Sequence, residues 1–104
     1  MADSQLPTVG LIFGDVLRRH RTRLQVSQEE LAFRAGVDRT FVSRIERGVR
    51  QPTITTLIGL GIALEISAAE LVREAEAEYL GRLYPHRQTV PDGKPAFSTH
   101  EHVK

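Results

Sequence analysis

The stretch AGVDRTFVSRIERG, residues 35–48, contains three arginines, yet its apolar residues recur at helical spacing. On a helix that advances about 100° per residue, Val42 and Ile45 fall on one side and Phe41 lies at the margin of that side. Asp38 is a favourable N-cap residue for such a helix, because its carboxylate can accept a hydrogen bond from an unpaired backbone N–H. The stretch therefore predicts a short amphipathic helix that is held to a core along one side.

The opposite side of the same helix is polar and basic. Its outward positions and their flanks are Arg39, Thr40, Ser43, Arg44 and Arg47. An arginine can donate two hydrogen bonds to a guanine edge, and a threonine can bond a base edge or touch a thymine methyl group, so these residue types suit the major groove of DNA. The periodicity alone is also typical of a surface helix whose arginines pair with Glu30 or with solvent.

The preceding segment predicts a second short helix. Ser27 and Glu30 have the spacing of a capping box, and Gly36 is a natural stop, which places a helix over residues 28–35. A helix over residues 39–47 would follow it after a tight turn. Two short helices joined in this way resemble a helix-turn-helix unit.

The rest of the sequence completes an all-α domain of five helices. The other predicted helices span residues 10–24, 53–66 and 67–84. We expect the helix over 53–66, which is apolar nearly all round, to be the central buried one, with Gly59 and Gly61 permitting close approach of its neighbours. Ser67 and Glu70 form a second capping box. The expected division of the chain is an N-terminal tail over 1–9, the domain over 10–84 and a polar C-terminal tail or arm over 85–104.

The composition limits the class of protein. The chain has 104 residues and no cysteine, which excludes disulfides, thiolate metal sites and a thiol nucleophile. No stretch is apolar enough to span a bilayer, and the N-terminus lacks the basic region and apolar run of a secretory signal. We expect a cytoplasmic protein with no membrane partner, no enzymatic activity, no cofactor and no bound metal.

The net charge of +1 hides an uneven distribution. Residues 18–50 hold nine arginines and four acidic residues, a balance of +5, whereas residues 65–78 hold five acidic residues and one arginine, a balance of −4. This asymmetry indicates an anionic partner on one side of the molecule, or else solvated charge on two unrelated faces. We expect the acidic residues of 65–78 to form a solvated face. The tail residues His100, Glu101 and His102, together with His86, are a candidate metal site, but in a polar terminal tail we favour adventitious binding or none.

Taken in order, several motifs resemble one family. The segments SQEELA, AGV and SRIERG and the P-x-x-x-T-L pattern that follows them lie within LRRHRTRLQVSQEELAFRAGVDRTFVSRIERGVRQPTITTLIGLGIALEIS. They are similar to the XRE, or lambda-repressor and Cro-like, DNA-binding domain, and the resemblance covers roughly residues 13–72. It implies the five-helix lambda-repressor-like fold with a helix-turn-helix over residues 28–47. It also implies a sequence-specific transcriptional regulator whose partner is double-stranded DNA.

The resemblance assigns roles to single residues. Those in base-reading positions are Arg39, Thr40, Ser43 and Arg44. Those expected to contact DNA phosphates are Gln28, Arg47, Arg50 and Arg18. Arg21 and Glu46 match a pair that commonly forms a buried or half-buried ion pair between the first and third helices. His20 stands where an apolar residue is usual, and we interpret it as a partly buried histidine with a local hydrogen bond, a pH sensor being the alternative.

The last predicted helix carries a broad apolar face. Its members are Leu71, Val72, Ala75, Tyr79, Leu80 and Leu83. This face can pack on the first helix of the same chain or form the interface of a homodimer, and we favour the dimer because a two-fold axis matches a palindromic operator. We expect a repressor or an autoregulator. The alternatives are an antitoxin, a controller of a restriction–modification operon, or an interaction module without DNA binding, and a partner protein such as a toxin or a polymerase is left open.

Overall fold

Five helices and no strand make up residues 8–85, the part of the chain that the computed structural model describes. The helices are α1 (Val9–Arg23), α2 (Gln28–Ala35), α3 (Arg39–Glu46), α4 (Ile54–Leu64) and α5 (Ala68–Leu83). The all-α prediction is confirmed, and α2 begins and ends where the sequence predicts. The expected tails over 1–9 and 85–104 lie almost entirely outside the described residues, as do the tail histidines.

Each helix begins after a side chain that accepts a hydrogen bond from the backbone of the first turn. The five N-cap residues are Thr8, Ser27, Asp38, Thr53 and Ser67. Each cap satisfies a backbone N–H that has no partner inside its helix, and this fixes where the helix starts. Thr8 moves the start of α1 to Val9, one residue before the predicted start. Gly36 ends α2 with a φ of 73°, in the left-handed region that favours glycine.

The helices enclose one apolar core. Its fully buried side chains are Val16, Leu17, Leu31, Val42, Ile45, Leu60 and Leu71. α1 packs against α3 and α5, α2 packs against α3 and α4, and α4 packs against α5. α1 meets the backbone of α3 at Gly14, where a Cβ atom would lie 2.4 Å from the Ile45 carbonyl oxygen and 2.6 Å from that of Glu46. The missing side chain at Gly14 therefore permits direct contact between α1 and the C-terminal turn of α3.

α4 is not the central buried helix that its composition predicts. Ile54, Ile58 and Ile62, which follow one another at four-residue spacing, are 70%, 50% and 73% exposed. A helix that is apolar nearly all round has a second apolar side, and the core of this small domain leaves that side in solvent. Gly61 does permit the expected close approach of a neighbouring helix, because its Cβ would lie 2.9 Å from the backbone nitrogen of Ala68, the first residue of α5. Among residues 8–85 no single helix is long and apolar enough to cross a membrane, and α4 and α5, which together would be, are bent by 104° at the break between them.

Candidate nucleic-acid interface

The side of α3 that faces away from the core presents the residues that the resemblance assigns to base reading. Val42 and Ile45 are fully buried and hold α3 to the core, and Phe41 packs half-buried against the same core. The base-reading candidates are the exposed Arg39, Thr40 and Arg44 and the half-buried Ser43. Asp38 caps α3 by accepting a hydrogen bond from the Thr40 backbone N–H at 2.8 Å. One short, capped helix therefore carries all four candidates.

The basic residues of this surface differ from most other arginines in having no acidic partner among residues 8–85. Residues 8–85 contain eleven arginines, and six of them pair with a carboxylate, namely Arg18, Arg19, Arg21, Arg34, Arg73 and Arg82. The five that pair with no carboxylate of residues 8–85 are Arg23, Arg39, Arg44, Arg47 and Arg50. Four of these five lie on α3 or directly after it. They present concentrated positive charge, which an anion-binding surface requires.

Glu46, the last residue of α3, is the centre of a hydrogen-bond network. Its carboxylate accepts from Arg21 Nε at 2.6 Å, from Arg21 Nη2 at 3.0 Å and from Gln28 Nε2 at 2.9 Å. Arg21 Nη1 also donates to the Val26 carbonyl oxygen at 2.9 Å. The side chains of Glu46 and Arg21 are 3% and 13% exposed, so the structure brings together the ion pair that the resemblance implies. The network connects α1, the α1–α2 loop and α2 to the end of α3.

Gln28 has a neighbour that the resemblance does not imply. It is the half-buried first residue of α2, and its amide nitrogen donates to Glu46. Because a carboxylate only accepts, one of the two amide N–H groups is committed to Glu46 and the other remains for a phosphate. The expected phosphate contact stays a prediction. The two residues are separated by 18 positions along the chain, and no local spacing in the sequence indicates that they meet.

The acidic residues of α5 do not all form the solvated face that we expected. Glu78 Oε1 accepts a hydrogen bond from Arg19 at 3.1 Å, and Glu74 Oε1 lies 2.9 Å from His20 Nε2. His20 is 12% exposed, in agreement with a partly buried histidine, although its hydrogen bond reaches across to another helix. Part of the charge asymmetry in the sequence is therefore neutralised where α5 packs on α1.

Arg18, like Arg19, is bonded to a carboxylate. Its guanidinium is bonded to Asp15, one helical turn earlier, and Asp15 also accepts from Arg19 at 3.0 Å. Arg18 is exposed, so a phosphate could compete for it. It nevertheless differs from Arg47 and Arg50, the other arginines expected to contact phosphates, which have no carboxylate partner in the described part of the chain.

The apolar face that the sequence predicts on α5 is divided between the core and the surface. Leu71 and Ala75 are buried within the same chain, so their place in the predicted dimer interface is wrong: they cover the core where α5 packs on α1 and α4. The half-buried members are Tyr79, Leu80 and Leu83. Val72 is 42% exposed and remains available to a second molecule.

A groove of about 400 Å³ lies between α4 and α5. It is lined by Ile54, Leu57, Ile58, Ala68, Ala69 and Val72, together with the charged Arg73 and Glu76. Arg73 Nε donates to Glu70 Oε1 at 2.9 Å, and this guanidinium holds the pKa of the Glu70 carboxyl below its usual value. The groove is lined by aliphatic side chains from two helices, although the sequence predicts a buried core helix for one and an interface helix for the other.

The buried polar side chains of the described domain all have hydrogen-bond partners within it. No buried side-chain nitrogen or oxygen of residues 8–85 lacks a hydrogen-bond partner. The same residues contain no cluster of three or more histidine, aspartate or glutamate side chains that could hold a metal ion. The free capacity of this part of the chain to bind a charged ligand is therefore concentrated on the surface of α3 and the loop after it.

Comparisons with known proteins agree with this geometry. A family model described as helix-turn-helix matches residues 17–71. The uncharacterized HTH-type transcriptional regulator y4dJ of Sinorhizobium fredii is 36% identical over 70 residues, which are 67% of this chain and 91% of that protein. The restriction–modification controller protein C.AhdI from Aeromonas hydrophila is 43% identical, with a TM-score of 0.58 over 59% of this chain and 92% of that one. C.Esp1396I, solved as a tetramer in complex with its natural 35-base-pair operator, is 30% identical, with a TM-score of 0.63 over 71% of this chain and 97% of that one. The chain therefore belongs to the helix-turn-helix family and is a DNA-binding transcriptional regulator.

Proposed function

We propose that α3 enters the major groove of an operator and reads base edges through Arg39, Thr40, Ser43 and Arg44. One observation carries the proposal: the arginines on and after α3 pair with no carboxylate of residues 8–85. An arginine that is bonded to a carboxylate must leave it to reach a guanine, whereas Arg39 and Arg44 have no carboxylate of residues 8–85 to leave. Thr40 adds a hydroxyl group and a methyl group, both of which can distinguish bases.

We further propose that Gln28, Arg47 and Arg50 hold the DNA backbone. Arg47 is the C-cap residue of α3, and Arg50 follows within one turn, so both extend from the same end of the helix. Gln28 stands at the N-terminus of α2, where the helix dipole and the first backbone N–H groups favour a phosphate. Such contacts orient the protein on the duplex without reading its sequence. Arg18 is a secondary candidate, because it must first leave Asp15.

We propose that the protein acts as a homodimer whose interface is the groove between α4 and α5. Ile54, Ile58 and Val72 expose large aliphatic surfaces along this groove, and contiguous apolar patches of this kind mark interaction sites. The occupant to which we commit is a second copy of the chain. Arg73, which is bonded to Glu70, and Glu76 line the same groove with opposite charges, and a two-fold axis that set Arg73 of each copy beside Glu76 of the other would extend this pair across the interface. The same axis would place two α3 helices on a palindromic operator.

Mobility-shift titration over a salt series tests the DNA-binding mode. The probes are the duplex upstream of the protein's own gene and a random duplex of the same length. We expect a preference for the first and a steep loss of affinity as salt rises, because bound arginines release counterions from the phosphates. The double variant Arg39→Ala/Arg44→Ala should fold normally, since both side chains are exposed. It should lose the preference for the upstream duplex over the random duplex. Negligible binding of the wild-type protein to both duplexes would reject the proposal.

Sedimentation equilibrium of two isoleucine variants tests the dimer. Ile58 lines the groove, whereas Ile62 is more exposed, lies on the same helix and does not line it. We expect Ile58→Ser to weaken dimerisation by about tenfold or more, because truncation of a central apolar contact is costly. Ile62→Ser should leave it unchanged. Equal effects of the two variants, or a wild-type monomer at high concentration, would rule out this interface.

A narrower role as a restriction–modification controller is favoured by one observation, the 43% identity to C.AhdI. The genes that neighbour this one decide between that role and a repressor or autoregulator of another operon. A methyltransferase gene and an endonuclease gene beside it would support the controller, and their absence would favour the other role. In either role the protein binds DNA and catalyses no reaction, and we place it in the cytoplasm with its operator.

A further inference from the structure

We propose that Gln28 is a positioning residue that fixes the orientation of α3, through Glu46, while α2 rests on the DNA backbone. This inference depends on the DNA-binding mode proposed above. It differs from the simple phosphate contact that the resemblance implies, because it makes Gln28 a link between backbone contact and base reading.

Glu46 is the polar anchor of α3. Within residues 8–85, every side-chain hydrogen bond from α3 to α1 or α2 ends on the Glu46 carboxylate. The other side-chain attachments of α3 are mainly apolar, through residues such as Val42 and Ile45. Apolar burial has no directional preference, whereas a hydrogen bond weakens steeply as its angle departs from linearity. The angle at which α3 projects from the domain therefore depends on the groups that hold Glu46.

The donors to Glu46 come from two helices, of which only α2 is proposed to contact the DNA backbone through its N-terminus. Arg21 belongs to α1 and binds both carboxylate oxygens. Gln28 belongs to α2, and its helix N-terminus is the proposed contact with the DNA backbone. Glu46 Oε1 accepts from both donors, from Gln28 Nε2 at 2.9 Å and from Arg21 Nη2 at 3.0 Å. A displacement of α2 against the backbone thus alters a hydrogen bond at the end of α3.

The chemistry of the amide makes Gln28 suited to this link. The Glu46 carboxylate cannot donate a hydrogen bond, so the Gln28 nitrogen, and not its oxygen, must face it. The second N–H group of the same nitrogen remains for a phosphate oxygen. Gln28 can therefore donate to Glu46 and to a phosphate at the same time, which neither a carboxylate nor an aliphatic side chain can do at this position.

The test is Gln28→Met, which keeps the length of the side chain and removes both N–H donors of its amide group. Affinity is measured over a salt series for the duplex that the wild-type protein selects from a random pool and for one random duplex. We expect the ratio of the two affinities to fall by about 2- to 30-fold, the range typical of mutations that alter coupling between sites. Arg50→Ala is the matched control. Its ratio of affinities for the selected and random duplexes should equal that of the wild-type protein, while the salt dependence of its affinity should fall by about one phosphate contact.

Two results would overturn the proposal. If Gln28→Met lost affinity equally for both duplexes, as expected for Arg50→Ala, Gln28 would be a phosphate contact only. If its melting temperature fell while the ratio stayed constant, Gln28 would be structural only. Gln28→Glu places a second carboxylate against Glu46, so its ratio should fall at least as far as that of Gln28→Met. Failure of the underlying DNA-binding mode looks different, because the wild-type protein would then select no sequence from the pool.

Discussion

Arg19 and Arg21 of α1 carry the same charge as Arg39 and Arg44 of α3, but their surroundings are opposite. Arg19 lies between two carboxylates, and Arg21 is held by Glu46 at 13% exposure. Arg39 and Arg44 are exposed on α3 and pair with no carboxylate of residues 8–85. The first group joins helices to one another, and the second leaves its charge available to a ligand.

This difference determines which positive charges of the domain remain available to attract an anion. The basic surface of α1 is partly neutralised by Asp15 of the same helix and by Glu78 of α5, so it attracts an anion less than its sequence suggests. Exposed ion pairs of this kind contribute at most about 1 kcal/mol each to stability. Their main consequence is therefore electrostatic: of the five arginines that pair with no carboxylate of residues 8–85, four lie on α3 or directly after it, and Arg23 ends α1.

The largest loss of stability is expected when Arg21, a largely buried arginine, loses the carboxylate that holds it. Glu46→Ala leaves the guanidinium of Arg21 partly buried without a partner and deprives Gln28 of its acceptor. We expect the free energy of unfolding to fall by about 3–5 kcal/mol, because the desolvation of the guanidinium is no longer offset. Urea unfolding followed by circular dichroism measures the change.

A double variant provides the control for this loss. Arg21→Met/Glu46→Leu removes both charges and fills the same space with apolar side chains. We expect it to recover most of the stability, since a buried ion pair replaced by well-packed apolar residues is often neutral or stabilising. A loss of less than about 1 kcal/mol in Glu46→Ala, the size of an exposed pair, would mean that Arg21 behaves like the surface arginines.

Much of the fold could be predicted because its signals are local. Ser27 and Asp38 cap their helices within three residues, and Gly36 stops α2 at the residue that follows it. The apolar periodicity of α3 likewise indicates which of its sides is buried, with Val42 and Ile45 at the centre. These features depend on neighbours along the chain, and the sequence states them directly.

Contacts between distant segments could not be predicted in the same way. The hydrogen bonds from Gln28 to Glu46 and from Arg19 to Glu78 join residues that are 18 and 59 positions apart, and the periodicity of one helix contains no sign of them. The exposed side of α4 was missed for a related reason. An isoleucine such as Ile58 fits a buried helix and an interface helix equally well, so composition alone could not separate the two.

Effects of intermediate size are expected for Arg44 and Arg50, which pair with no carboxylate of residues 8–85, and these effects should differ according to the role of each arginine. Arg44→Ala should reduce discrimination between the selected duplex and a random duplex by about 1–3 kcal/mol, because Arg44 is assigned to a base edge. Arg50→Ala should weaken both duplexes alike and lower the salt dependence by about one contact, because Arg50 is assigned to a phosphate. Fluorescence anisotropy with labelled duplexes measures both quantities. A similar loss of discrimination in the two variants would contradict this division.

The smallest effect is expected for an arginine that already has partners. Arg19 Nε lies 3.0 Å from Asp15, and its Nη2 lies 3.1 Å from Glu78, with 46% of the side chain exposed. Arg19→Ala should change the free energy of unfolding by at most about 1 kcal/mol, and added salt should reduce even that difference. Its affinity for DNA should stay close to that of the wild-type protein, because two carboxylates already neutralise the charge that is removed. A loss of affinity as large as that of Arg50→Ala would show that a carboxylate partner does not withhold an arginine from DNA, and the distinction between the two groups of arginines would fail.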